Sequence, residues 1–383
     1  MRKYMSVLLA LILFFCLVQV AGAASGDHES PLGEPDLYRA VILKIEKAED
    51  DMVTTAWATG GKLSVLVRLT EGPYKGQEMT IDHYLTGNPA YDLNLKPGDR
   101  VFVGVEAIAG YVVDSFIAEY VRDNYLYLLA LLFVASLVLV GGVKGAKAAI
   151  VLVLTGLAVA YVMVPLLLSG TSPVLASLLV SALVVCVGLV FISGPNAKTA
   201  AASAGTVAGV VVAGVIAVIF GILSNLIGMN SHEAQLLYFV PDLKIDFRGL
   251  LFSGMILGSL GAVMDVGMSI SSAVWEVKAA KPDAGMRQLV RSGMNVGRDV
   301  LGTMSNTLIL AYAGGALPLI LLSVVYDIPL QKLMNLDVIA TEVVRALAGS
   351  IGLVFCVPAT ALACGYLYRR AHGTGDKVPT VAR

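Results

Sequence analysis

The stretch Gly254-Met-Ile-Leu-Gly258-Ser-Leu-Gly261-Ala-Val-Met-Asp265-Val-Gly-Met-Ser269-Ile-Ser-Ser272-Ala-Val-Trp-Glu276 decides the fold. It holds no charge before Asp265, and as a helix rising about 1.5 Å per residue it is long enough to cross a hydrocarbon core of about 30 Å. At about 100° per residue, Gly254, Gly258, Gly261, Asp265, Ser269, Ser272 and Glu276 fall on one stripe, small at one end and polar at the other. Small residues at this spacing let a neighbouring helix approach closely, which makes the three glycines candidates for helix packing. A carboxylate at mid-membrane costs about 3 kcal/mol or more on insertion scales, so Asp265 is expected to face a polar cavity or to be protonated. Asp265, Ser269 and Ser272 are therefore candidates for an ion or proton pathway, with Glu276 about 16 Å further along the axis. A structural, hydrogen-bonded Asp is the plainer alternative.

The following segment has a second polar stripe through Asn295, Asp299, Gly302 and Asn306. As an antiparallel neighbour it is expected to bring Asn306 to the depth of Ser269 and Thr307 nearer to Asp265, which adds both to the pathway candidates. Asn295, Arg298 and Asp299 belong to the connector, where an interfacial helix meeting headgroups is an equally good reading for Arg298. Glu342 and Arg345 open the last apolar run three residues apart, the spacing of a local ion pair on one helix face.

The rest of the chain is built of similar material. Of 383 residues 57% are hydrophobic and 14% charged, with a mean hydropathy of +0.79, whereas soluble domains carry about 25% charged residues. Seven apolar runs of spanning length are expected, at 125–142, 148–168, 173–193, 206–227, 250–275, 301–325 and 340–368. Lys144, Lys147, Lys198, Lys278, Lys281, Arg287, Arg291, Arg298, Arg369 and Arg370 then share one side, against Lys244, Arg248 and Lys332 on the other. The positive-inside rule makes the richer side cytoplasmic, with the C-terminal tail 371–383.

Ahead of these runs, Arg2 and Lys3 precede an apolar stretch closed by Ala21-Gly22-Ala23, the pattern of a signal peptide over 1–23, cleaved or retained as an anchor. That places residues 25–122 outside the cytoplasm, in agreement with the charge asymmetry. In this domain apolar residues alternate at Val41, Leu43, Ile45 and at Leu63, Val65, Val67, Leu69, the period of half-buried strands. With turns at Glu71-Gly72-Pro73 and Lys96-Pro97-Gly98, about five strands and a small OB-like β barrel are expected. Tyr74, Tyr84 and Tyr91 are candidates for a ligand face. The expected fold class is thus an α-helical polytopic bundle (123–370) preceded by a small all-β domain.

Several functions are excluded. The β domain holds 16 Asp and Glu against 9 Lys and Arg, which argues against nucleic acid as a partner. The four cysteines lie in apolar runs and the four histidines are scattered, so no metal site and no cofactor are expected. Intramembrane aspartyl proteolysis needs two facing aspartates, and serine proteolysis a membrane histidine; enzymatic activity is not expected. No GxxxxGK[ST] loop is present to bind a nucleotide.

Three runs carry a family resemblance: Gly258-Ser-Leu-Gly-Ala-Val-Met-Asp265-Val-Gly-Met-Ser-Ile-Ser-Ser-Ala-Val-Trp-Glu276, Gly297-Arg-Asp-Val-Leu-Gly-Thr-Met-Ser-Asn306-Thr-Leu, and Arg345-Ala-Leu-Ala-Gly349-Ser-Ile-Gly-Leu-Val. They resemble the YibE/F family of multi-pass membrane proteins, which implies an architecture and not a reaction. More distantly, Gly261-Ala-Val-Met-Asp265 is similar to the Gly-x-x-x-Asp pattern of SecD/SecF and of resistance-nodulation-division permeases, with Ser272 where that superfamily has an acid. This likeness implies a proton or cation pathway through Asp265.

The expected function is a membrane permease or transport-associated protein, proton- or cation-coupled through Asp265. The alternative is a non-transporting membrane module whose β domain binds an envelope component or a partner protein. The expected partners are the lipid bilayer and either a second copy or a second, related membrane subunit.

Overall fold

The computed structural model describes residues 36–47, 61–88, 90, 92–108, 111–241 and 243–370. The expected signal peptide, the tail 371–383 and Tyr91 lie outside them. The described residues form two compact units, with the boundary between Val140 and Gly141.

The first unit is an antiparallel sheet of β1 (Asp36–Lys47), β2 (Lys62–Leu69), β3 (Glu78–Tyr84), β4 (Arg100–Ile108) and β5 (Tyr111–Tyr120), in the order β3-β2-β1-β4-β5. Val65, Val67 and Leu69 enter the core as their alternation requires. In β1 the phase differs from expectation, since Ala40 and Ile42 are the fully buried residues, not Val41 and Leu43. An irregularity between Ile42 and Lys44 then changes the phase, so that Ile45 packs against the core.

Among the described residues the sheet curls without closing into the expected barrel. β3 and β5 approach one another, yet each is hydrogen-bonded on one side only, to β2 and β4. Acids of these edge strands are spent on neighbours, Glu78 on Arg68 and Asp82 on Lys62 across the β2–β3 ladder and Glu119 on Arg122, and charged side chains of this kind blunt an edge against further pairing. Arg39 ties the unit together: its guanidinium pairs with Glu71 at 2.8 Å and with Asp123, and lies over the Phe102 ring.

Asp123 begins α1 (Asp123–Ala158), which Gly142, at φ 56° and ψ −131°, breaks into two helical pieces. Only glycine reaches such a backbone without strain. After a π-helical turn (Val159–Met163) come α2 (Val164–Leu168), α3 (Pro173–Ser193), α4 (Ala197–Leu223), α5 (His232–Tyr238), α6 (Phe247–Ala280), α7 (Met286–Gly315), α8 (Leu317–Val325), α9 (Leu330–Met334) and α10 (Asp337–Arg370). Side chains supply missing helix-start acceptors: Asn196 accepts from the Thr199 N–H and Asp246 from the Gly249 N–H.

Among the described residues five helical stretches are long and apolar enough to cross a membrane, or six if α7 and α8, bent by 60°, form one span. The difference from seven lies in 123–168, a single stretch of 46 residues although Gly142 interrupts it. The core of the second unit lies between α4, α6 and α10, with α3 and α7 against it. Glycine permits the closest approach: a Cβ on Gly209 would lie 2.8 Å from both Cys356 Cβ and the Gly352 carbonyl oxygen. With hydrocarbon outside, such packing replaces the hydrophobic effect as the force between helices.

Candidate functional site

α6 buries Met255, Ile256, Val263, Val266, Ile270 and Val274, spaced by three, four and seven residues. The opposite face carries the stripe read from the sequence: Gly254, Gly258, Gly261, Asp265, Ser269 and Glu276 are exposed, and Ser272 is half-buried. The stripe therefore faces away from the core of its own chain. Asp265 has no hydrogen bond or ion pair among the described residues.

On α7, Asn295, Arg298, Asp299, Gly302, Thr303, Asn306 and Thr307 are likewise exposed, while Leu289, Gly293, Gly297 and Leu308 turn inward. Close contacts fix the antiparallel register of α6 and α7. Gly293 lies against Val274, Gly297 against Ile270, and Leu308 and Ser259 both meet Gly349. Asp265 is consequently level with Gly302, Ser269 with Arg298, Ser272 with Asn295, and Glu276 with Arg291. Asn306 is level with Gly261, about one turn from Asp265, and not at the level of Ser269 as the sequence suggested. The hydroxyl nearest in level to Asp265 is that of Thr303, which the sequence reading passed over; it donates to the Val300 carbonyl at 3.0 Å. Thr307 donates to the Thr303 carbonyl at 2.9 Å.

The stripe glycines do not perform the expected packing within the chain. Gly254 and Gly261 have no atom within 4 Å of a Cβ position, and Gly258 has only Tyr312, whose hydroxyl would stand 2.9 Å away. Close packing falls instead to Gly205, Gly209, Gly267, Gly293, Gly297 and Gly352.

At the Gly258 end, Arg345 donates to Glu342 at 2.6 Å, and the pair lines a cavity of about 380 Å³ with Tyr312, Pro318 and Val338. At the other end, Lys278 is buried and donates to the carbonyls of Pro282 and Ala284, closing the α6–α7 turn, so it is no partner for Glu276. The Lys198 ammonium lies in the fields of Lys144 and Glu276. Nearby, Ser271 Oγ donates to the Lys198 carbonyl at 2.7 Å and lies 2.6 Å from Tyr368 Oη, whose ring meets Trp275 edge to face.

In the β unit, Tyr74 and Tyr84 sit at opposite ends of the β2–β3 hairpin: Tyr74 packs edge-on against Tyr38, and Tyr84 lies beneath Lys62. These two do not share a face. Beside Tyr84, the Asp92 carboxylate accepts from the Thr86 N–H and hydroxyl and from the Gly87 N–H. The Thr86 N–H contributes most to holding this carboxyl below its usual range, with further help from the Gly87 N–H and His83. Burial pushes the His83 imidazole down, partly opposed by Asp92. No group of three or more His, Cys, Asp or Glu among the described residues is placed to hold a metal ion.

A curled antiparallel sheet followed by several helices of membrane-spanning length defines a multi-pass membrane protein with an appended β domain. Residues 36–116 match the YibE/F family N-terminal domain, and residues 129–370 match the YibE/F-like protein. The chain belongs to the YibE/F family. No curated protein and no solved structure matches it significantly.

Proposed function

We propose that the chain is an ion-coupled permease or transport-associated protein in which Asp265 takes up and releases a proton or cation. The observation that supports this reading is a carboxylate, unpaired among the described residues, midway along a 34-residue apolar helix. It shares its face with Ser269 and Ser272 and is level with Gly302 and Thr303 on α7. An ionisable group at such a position is costly and is held there for ion movement or helix association. Association within the chain is not supported, because Asp265 touches no polar partner among the described residues. The likeness of Gly261-Ala-Val-Met-Asp265 to the SecD/SecF and permease pattern points the same way.

In this reading 123–168 crosses the membrane twice, at the Gly142 break, which with the bent α7–α8 pair makes seven spans. The β domain is extracytoplasmic, the loops rich in Lys and Arg are cytoplasmic, and the protein is no enzyme. Asn306 and Tyr312 lie from Asp265 toward the outside, Ser269, Ser272 and Glu276 toward the cytoplasm. The Glu342–Arg345 cavity is at the outer end of this row.

Reconstitution in liposomes with an internal pH dye tests the reading. Proton movement that appears with the wild-type chain and disappears with Asp265→Asn, at unchanged incorporation, is expected. Equal traces from both proteins, under an imposed pH gradient or voltage, overturn it.

A further inference from the structure

Among the described residues nothing covers the exposed polar face of α6 and α7. Around Asp265 and Gly302 its residues lie at the depth of hydrocarbon, where unsatisfied polar groups cost several kcal/mol and are accommodated against protein or water, and toward Glu276 and Arg291 it reaches the membrane surface. We infer that this face is the contact with a second copy of the same chain, and that the row around Asp265 is complete only in that dimer.

Charge distribution selects a second copy as the occupant. Between Gly254 and Glu276 the exposed face of α6 carries Asp265 and Glu276 and no exposed base, since Lys278 is turned inward. The exposed face of α7 carries Arg287, Arg291 and Arg298 against Asp299. Among the described residues of one chain these opposite charges form no ion pair with each other, although Glu276 is level with Arg291 and Arg298 is about one turn from Asp265. A two-fold axis along the bilayer normal leaves every residue at its own depth. It sets the acidic α6 of each copy against the basic α7 of the other, twice over. Glu276 then meets Arg291 of the second copy, and Asp265 meets Thr303, with Arg298 within reach of its side chain. Gly254, Gly261 and Gly302, open to 4 Å in the single chain, give the room for helices to close.

The role of the enclosed row in transport rests on the permease reading; the contact itself does not. The test uses the full chain in native membranes, in two differently tagged forms, with Cys16 and Cys186 replaced by Ala. One form carries Ser269→Cys and the other Arg298→Cys, and a short bis-maleimide is added. A species of twice 40.1 kDa bearing both tags is expected. Copies carrying Val215→Cys, exposed on α4, are expected to stay monomeric. Should Arg298→Cys fail to insert, Gly302→Cys on both forms gives the same readout. Glu276→Arg alone is expected to lower the cross-linked yield at least severalfold, and pairing it with a copy carrying Arg291→Glu to restore it.

Absence of the species from inserted chains, or equal cross-linking at Val215→Cys, overturns the inference. Cross-linking to a chain of different mass also overturns it, in favour of another subunit. A dimer without proton flux would remove the permease reading and leave the contact standing.

Discussion

Tyr368 Oη lies 2.9 Å from the carbonyl oxygen of Ser271 and 2.6 Å from its Oγ, so one tyrosine at the end of α10 holds one residue of α6 at two atoms. Ser271 Oγ in turn donates to the Lys198 carbonyl, which brings in the first turn of α4. Three helices are thereby joined at the Glu276 end of the bundle by a wholly buried tyrosine. Interhelical hydrogen bonds in membranes average about 0.6 kcal/mol, while orphaning a buried polar group costs about 1–3 kcal/mol. Tyr368→Phe leaves the Trp275 edge contact in place and still satisfies Ser271 Oγ through Lys198. It is therefore expected to cost about 1 kcal/mol, and Ser271→Ala, which removes the link to the Lys198 carbonyl and leaves the Tyr368 hydroxyl with the Ser271 carbonyl alone, about as much. Thermal unfolding in detergent reads both; identical midpoints for wild type and Tyr368→Phe would show that the tyrosine acts through packing alone.

The glycines predict opposite outcomes for one kind of substitution. A Cβ on Gly352 would lie 2.6 Å from Ala213 Cβ and 2.7 Å from the Gly209 carbonyl oxygen, backbone that has nowhere to move. Gly352→Val is expected to lose folded protein, overpacking costing about 1–3 kcal/mol and more where backbone is displaced. Gly156→Ala meets nothing within 4 Å and is expected to leave the yield and unfolding midpoint unchanged. Size-exclusion profiles of the two variants decide the matter, and equal damage from both contradicts this packing.

The fold class was legible because it rests on composition and period. Apolar runs of spanning length and two-residue alternation in 36–120 are each enforced by solvent, and the structure keeps both. The phase of β1 was not legible: an irregularity at Ile42/Lys44 leaves no mark in a run as uniformly apolar as Val41-Ile-Leu43. The closing of a barrel depends on edges meeting across a long sequence separation, which local pattern does not report. For the site, the stripe through Asp265 was visible at 100° per residue, but the side of the helix facing the core was not. In a membrane helix a small polar face and an apolar face both pack, so amphipathicity loses its direction. The level of Asn306 depended on contacts at Gly293 and Gly297, and glycine patterns in a chain with 39 of them are ambiguous.

Acid is expected to loosen the loop between β3 and β4 in two stages. Burial lowers the His83 pKa in the folded chain, so its contribution is full above about pH 6.5 and is lost as pH falls through the lower folded value. Asp92 is also lowered, by the N–H groups of Thr86 and Gly87 and by His83, so its contribution is full above about pH 4 and disappears as pH falls further. Hydrogen exchange of residues 83–95 in the detergent-solubilised chain, corrected for intrinsic rates, is expected to rise first below pH 6.5 and again below pH 4. With Asp92→Asn the second rise is expected to vanish while the first persists; a single rise at one pH in both proteins would separate these two groups from the loop.

Arg39 separates geometry from charge in the β unit. Its guanidinium engages Glu71 in the β2–β3 turn and Asp123 at the start of α1, with Phe102 beneath it. The side chains of Arg39 and Glu71 are 38% and 53% exposed, so water screens that pair, and an exposed pair contributes about 0.2–1 kcal/mol. Asp123 is 23% exposed, so water screens that contact less. A planar fork reaches both carboxylates and stacks on the ring, whereas an ammonium is a point charge that serves one partner at a time. Arg39→Lys is therefore expected to lose most of what Arg39→Ala loses, about 1 kcal/mol, and Glu71→Gln much less. Amide exchange at residues 71–77 and 123–126 distinguishes the two contacts: Asp123→Asn raises exchange at the start of α1 and spares the turn. Full protection at both places in Arg39→Lys would mean that charge alone suffices and the fork geometry does not matter.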